Sequence, residues 1–137
     1  MGCSVGMPRA GSPSVDLLVA NESGTRLLPL QVKTANRAWR ERKRSPETSY
    51  WEWDVGVRSR TLRDKNLFYA FVDLHWGKEP VPAGFSLWPP DVFIVPSPDV
   101  AEKMDREGIK RYMYYIYRDE APKYRERWDV LAARLKD

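Results

Sequence analysis

The stretch "SVDLLVANESGTRLLPLQVKT", residues 14–34, sets Asp16 ahead of an Asn-Glu-Ser-Gly turn and Gln31, Val32 and Lys33 behind it. A carboxylate is a hard oxygen ligand suited to Mg²⁺ or Mn²⁺. Such an ion keeps several waters and needs only one or two carboxylates plus a substrate phosphate to hold it. A bound ion lowers the pKa of a coordinated water and neutralises charge developing on a phosphate, while a nearby lysine positions that water or stabilises the phosphoryl oxygens. The set therefore suits phosphodiester chemistry, with Asp16 as metal ligand and Lys33 as the cation beside it.

That chemistry requires a β-hairpin. Residues 14–20 and 25–34 are two β-rich runs around a Ser-Gly turn, the pattern of antiparallel strands. Side chains alternate along a strand, so Val15, Leu17 and Val19 share one face, as do Leu28, Leu30 and Val32. With Ser23 and Gly24 as the turn, Asp16 falls opposite Gln31 and Lys33 is its diagonal neighbour. Opposed Cβ atoms are about 5 Å apart and diagonal ones roughly 7–8 Å, within reach of one bound group. A slip of one residue, or a bulge at Pro29, would put Asp16 and Gln31 on opposite faces.

On these residues the stretch resembles the core of the PD-(D/E)xK nuclease superfamily, the restriction-endonuclease-like fold, in the branch whose second motif reads Gln-x-Lys. The resemblance implies an α/β domain with a mixed central sheet flanked by helices. It implies metal binding by Asp16, Gln31 and the Val32 carbonyl, catalysis by Asp16, Gln31 and Lys33, and Mg²⁺ or Mn²⁺ as cofactor. "FYAFVDL" and "DVFIVPS" look like the strands that follow in the family. Family members carry a helix before the hairpin, which this chain is expected to lack, and Gln31 offers a metal an amide oxygen but no charge. The expected function is nucleic-acid binding with metal-dependent phosphodiester hydrolysis, DNA being the expected partner. The alternative is a catalytically inactive module of the same fold that acts in nucleic-acid or protein binding, with a homo-oligomer, such as a homodimer, as a further reading.

Other residues carry weaker signals. "RAWRERKR" holds Arg37, Arg40, Arg42, Lys43 and Arg44 against Glu41; it reads as a solvated segment or as a phosphate-tracking patch directly after the Lys33 strand, with Arg37, Arg40, Lys43 and Arg44 as backbone contacts. Glu52 and Asp54 share a strand face and either supply further carboxylates or keep that face wet. His75 is the sole histidine, which excludes a multi-histidine metal site and makes a structural or exposed role the expectation. The tyrosines of "YMYYIY" could stack on bases or form core.

The 137 residues suit one domain, 1–137. Lys and Arg total 23 against 19 Asp and Glu, a mild excess that favours a polyanionic partner. A single cysteine, Cys3, excludes an internal disulfide and a cysteine-cluster zinc site. No apolar run reaches the roughly 20 residues of a membrane span, so a cytoplasmic protein without membrane contact is expected.

Along the chain, residues 1–13 read as irregular and 36–49 as a loop or short helix. "YWEWDVG" reads as a half-buried strand, "NLFYAFVDLHW" as a buried central strand and "DVFIVPS" as another, with a proline-rich loop over 77–90. Ser97, Pro98 and Asp99 predict a helix start with Ser97 as the cap, and Gly108 its end. "RYMYYIY" fits either strand or helix. Tyr124, Trp128, Leu131 and Leu135 predict one amphipathic helix over 119–137.

Overall fold

A computed structural model describes residues 2–9, 14–76, 89–108 and 112–136. Its framework is a mixed five-stranded sheet in the order β1-β2-β3-β6-β7. The strands are β1 (Cys3–Gly6), β2 (Leu17–Asn21), β3 (Leu27–Ala35), β6 (Phe68–Asp73) and β7 (Asp91–Pro96). All neighbours pair antiparallel except β3 and β6, which run parallel. The crossover between those two carries β4 (Trp39–Arg40) and β5 (Tyr50–Asp54), which join β8 (Met113–Tyr117) in a small antiparallel sheet. The helices are α1 (Ser97–Glu107), α2 (Ala121–Tyr124) and α3 (Trp128–Leu135).

Each strand reflects which of its faces is covered. In β6 only Val72 is less than buried, because both sides of this central strand are packed; hence its nearly unbroken apolar run. One side, formed by Leu28, Leu30, Phe68, Ala70 and Ile94, closes on Leu131 and Leu135 of α3. The other, formed by Tyr69, Phe71, Phe93 and Val95, closes on Trp51, Trp53, Tyr114 and Ile116 of the small sheet and on Val100 and Met104 of α1. Burying an aliphatic or phenyl side chain of this kind contributes about 1.5–3 kcal/mol. The alternation in "YWEWDVG" holds, with Trp51, Trp53 and Val55 buried.

Four expectations change. Residues 1–13 are not wholly irregular, since Cys3–Gly6 adds an edge strand to β2. The 36–49 segment contains β4 and a 3₁₀ turn, Pro46–Thr48. Ser97 does not cap α1; its hydroxyl donates to the Leu62 carbonyl, tying the helix start to the crossover. Gly108 ends α1 in the left-handed region, φ 58°, as its lack of a Cβ permits.

The fourth concerns the C-terminal helix, which is two helices. Glu126 takes φ 51°, which no α-helix continues through. Its N–H donates to the Val92 carbonyl at 2.8 Å, so the break docks the chain on β7. The rotation leaves Trp128 46% exposed while Tyr124, Leu131 and Leu135 remain buried. "RYMYYIY" resolves as strand β8 over Met113–Tyr117. The proline-rich loop expected over 77–90 lies outside the described residues except for its last two positions.

Candidate metal and nucleic-acid site

The β2–β3 ladder pairs Leu17 with Leu30, Leu18 with Pro29, Val19 with Leu28 and Ala20 with Leu27. Over these four pairs the register is the one read from the sequence; it ends at Leu17, one residue short of Asp16. A four-residue turn closes it: Asn21 N–H donates to the Arg26 carbonyl at 3.1 Å and Gly24 N–H to the Asn21 carbonyl at 3.0 Å. Gly24 has φ 71°, open to glycine at little strain. Pro29 introduces no bulge, because the β6 ladder begins one residue later at Leu30, so its missing donor interrupts no pairing there.

At Asp16 itself the chain leaves the straight ladder. Its N–H donates to the Leu30 carbonyl at 2.8 Å, and its carboxylate Oδ2 accepts from the Val32 N–H at 2.7 Å. Beyond the end of β2, β3 would otherwise present that donor without a strand partner. Asp16 supplies the partner from its side chain, and remains solvent-exposed while doing so.

Gln31 and Lys33 are half-buried and stand beside Tyr69 and Phe71 of β6 in the parallel register. Ala35 on their face packs into the core cluster under the small sheet. Gln31 and Lys33 thus share the face of Ala35, and Asp16, past the end of β2, reaches the same strand through the Val32 N–H.

The basic segment follows directly. Arg37, Arg40, Lys43 and Arg44 are exposed. Arg40 is engaged: its Nε lies 2.7 Å from Glu52 Oε1, and its Nη1 donates to the Arg37 carbonyl at 2.8 Å. Arg42 lies over the Tyr50 ring, 5.2 Å from the centroid. Asp54 Oδ1 accepts from the Gly56 N–H at 3.0 Å. Glu52 and Asp54 are therefore committed to local contacts.

A second group was not foreseen. Asp73 ends β6, Asp91 begins β7, and the two are paired in register. His75, two residues past Asp73, has φ 57°, which turns the chain sharply beyond the strand. Its Nδ1 lies 3.6 Å from Asp73 Oδ2 and its Nε2 3.0 Å from Asp91 Oδ2. Asp73 is fully buried, with Oδ2 accepting from the Trp39 N–H at 3.2 Å and Oδ1 from the His75 N–H at 3.0 Å. Arg125 pairs with the other oxygen of Asp91. The available signal was an aspartate at the facing ends of two paired apolar strands, one followed closely by the sole histidine.

A cleft of ≈ 480 Å³ lies elsewhere, between α1 and the turn into α2, with Lys103, Glu120, Lys123 and Tyr124 among its lining residues. Lys103 Nζ donates to the Tyr115 carbonyl at 2.6 Å and to the Glu120 carboxylate. Tyr124 donates to Asp99 Oδ2 at 3.1 Å and accepts from Lys123 at 2.9 Å. Burial pushes the Tyr124 hydroxyl above its ordinary pKa, so it stays protonated. Lys103 with Glu120 and Lys123 with Asp99 form ion pairs along this cleft.

Comparison of the chain with models of known protein families, with curated proteins and with solved structures gives no match. Among the described residues no helix is long and apolar enough to cross a membrane.

Proposed function

We propose that this chain is a restriction-endonuclease-like domain that binds nucleic acid, DNA in the first instance, and hydrolyses phosphodiester bonds with Mg²⁺ or Mn²⁺. The observation that supports the reading is the β2–β3 hairpin, in which Gln31 and Lys33 alternate onto one face of β3 and the Asp16 carboxylate meets the N–H of Val32 between them. The fold class agrees with it: an antiparallel hairpin feeding a parallel strand in a mixed sheet flanked by helices.

One carboxylate and one amide fit a hard ion that is otherwise held by waters and substrate phosphate. Asp16 and Gln31, with the Val32 carbonyl, would hold that ion. When bound it would supply an activated water and charge neutralisation. Lys33, half-buried beside Phe71, orients its ammonium toward the phosphate and stabilises charge there. Arg37, Lys43 and Arg44 bind the backbone; Arg40 does so at the expense of its pairing with Glu52.

A second reading has its own support. The Asp16 oxygen bonded to Val32 at 2.7 Å and the neutral Gln31 together suit a binding module that keeps the hairpin for its shape. Metal-dependent cleavage of labelled DNA and RNA separates the two. The enzyme reading expects activity that falls at least 100-fold in both Lys33→Ala and Asp16→Asn. Binding without cleavage in the parent chain establishes the module instead, and cleavage equal in Lys33→Ala removes the hairpin from the chemistry.

A further inference from the structure

We propose that Asp73, His75 and Asp91 form a binding site for a divalent transition ion, Zn²⁺ or Mn²⁺, separate from the hairpin. One ligand atom from each residue lies within 4.8 Å of the other two, the spacing of donors around a single ion rather than of scattered surface groups. The three come from two paired strand ends and the turn after one of them, so the sheet fixes their separation. An imidazole nitrogen joined to two carboxylate oxygens selects a borderline ion over Mg²⁺, which prefers oxygen and water alone. Three protein ligands leave further positions to water or to an anion.

Each ligand is oriented by a second contact, as metal ligands usually are. Asp73 is held by the Trp39 and His75 N–H groups, and Asp91 by Arg125. The His75 turn is tied to the end of β3, with Leu74 N–H donating to the Ala35 carbonyl at 3.0 Å and Trp76 N–H to the Asn36 carbonyl at 2.7 Å. Charge adds a separate argument. Asp73 has no exposed side-chain surface, and Asp91 and His75 are 13% exposed. Two carboxylates converge in a poorly solvated place, with Arg125 paired to one of them, and buried charge in stable proteins is paired or coordinates a metal. A divalent cation supplies the match.

The site lies where the parallel strands β3 and β6 end, the side of an open α/β sheet on which ligands gather. The Trp39 bond fastens the basic segment to the Asp73 carboxylate, so an anion bound through Arg37 or Arg44 shares its anchorage with the ion.

The test uses the untagged chain, stripped with chelator, with Zn²⁺ or Mn²⁺ as the only added ligand. Calorimetry is expected to show one ion per chain in the Asp16→Asn variant, with affinity at least 10-fold weaker in His75→Gln and in Asp91→Asn. Because His75 is the only histidine, its imidazole proton resonances report on the parent protein directly, and substoichiometric Mn²⁺ should broaden them selectively. Absence of uptake, uptake abolished by Asp16→Asn but retained in His75→Gln, or His75 resonances indifferent to Mn²⁺ would each overturn the proposal. The second would return the ion to the hairpin.

Discussion

The Asp16 carboxylate and the Val32 N–H meet at 2.7 Å past the last rung of the β2–β3 ladder. A side chain thereby continues a pairing that the main chain has stopped making, and the strand bearing Gln31 and Lys33 keeps its direction. Asp16→Ala leaves that donor to water and removes a charge-assisted bond, for an expected loss of about 1–2 kcal/mol. Asp16→Asn keeps an acceptor and should lose about half as much. Urea denaturation of the three proteins checks the order, and equal stability in all three would mean that the bond is replaced by solvent without cost.

The basic segment divides into engaged and disengaged residues. Replacing Arg37, Lys43 and Arg44 by alanine should lower the salt dependence of DNA binding, each lost phosphate contact reducing the slope of log K against log salt by about 0.9. Arg40→Ala should change the slope less, because this guanidinium is already bonded to Glu52. Fluorescence anisotropy over a salt series measures both. A slope that all four substitutions leave unaltered would move the binding surface elsewhere.

Asp73 is the buried acid to which two backbone N–H groups, those of Trp39 and His75, donate. Asp73→Ala orphans the Trp39 and His75 N–H groups, and the expected destabilisation is about 2–4 kcal/mol. Asp91→Asn, at a partly exposed position, should fall below about 1.5 kcal/mol. Thermal unfolding distinguishes them, and a reversed order would mean that the Arg125 pair, not the buried carboxylate, secures this end of the sheet.

Tyr114 has a hydroxyl that is buried with no hydrogen-bond partner among the described residues. Desolvation, helped by the nearby Tyr124, Glu120 and Asp99, holds its pKa well above the ordinary 10.0. The sign follows from linkage. Below pH 10 folded and unfolded chains both keep the proton; above it the unfolded tyrosine ionises first, so stability falls as pH climbs through the higher folded value. Tyr114→Phe should be neutral or stabilising by about 1 kcal/mol near pH 7, with a shallower alkaline decline. Chemical denaturation at pH 7 and pH 10.5 reads both, and a marked loss at pH 7 would reveal a partner for the hydroxyl.

The parts of the fold that could be read from the residues are those set by local alternation. Leu17, Val19, Leu28, Leu30 and Val32 announce the hairpin and the residues that share its apolar face, because their alternation turns all of them to one side. The apolar runs at 68–73 and 91–96 announce central strands. What could not be read depends on distant partners. Cys3–Gly6 is a strand only because β2 offers a free edge, and its side chains stay exposed. The aromatic run at 112–117 becomes a strand because β5 waits for it. The kink at Glu126 is set by the Val92 carbonyl, to which the linear pattern of Tyr124 and Leu131 gives no clue. The candidate site shows the same division. Asp16, Gln31 and Lys33 sit on one hairpin and were accessible to pattern reasoning, whereas Asp73 and Asp91 become neighbours only when β6 and β7 pair.

The small sheet has a consequence for the order of assembly. Its middle strand, β5, lies in the crossover, while β8, which pairs with it from Tyr50 to Asp54, comes near the C-terminus. On a ribosome, Trp51 and Trp53 emerge long before Tyr114 and Ile116 are synthesised to cover them. Until then the nascent chain shows an oily aromatic surface to solvent, so truncations before residue 113 should depend on chaperones for their yield, even though every strand of the larger sheet is already present.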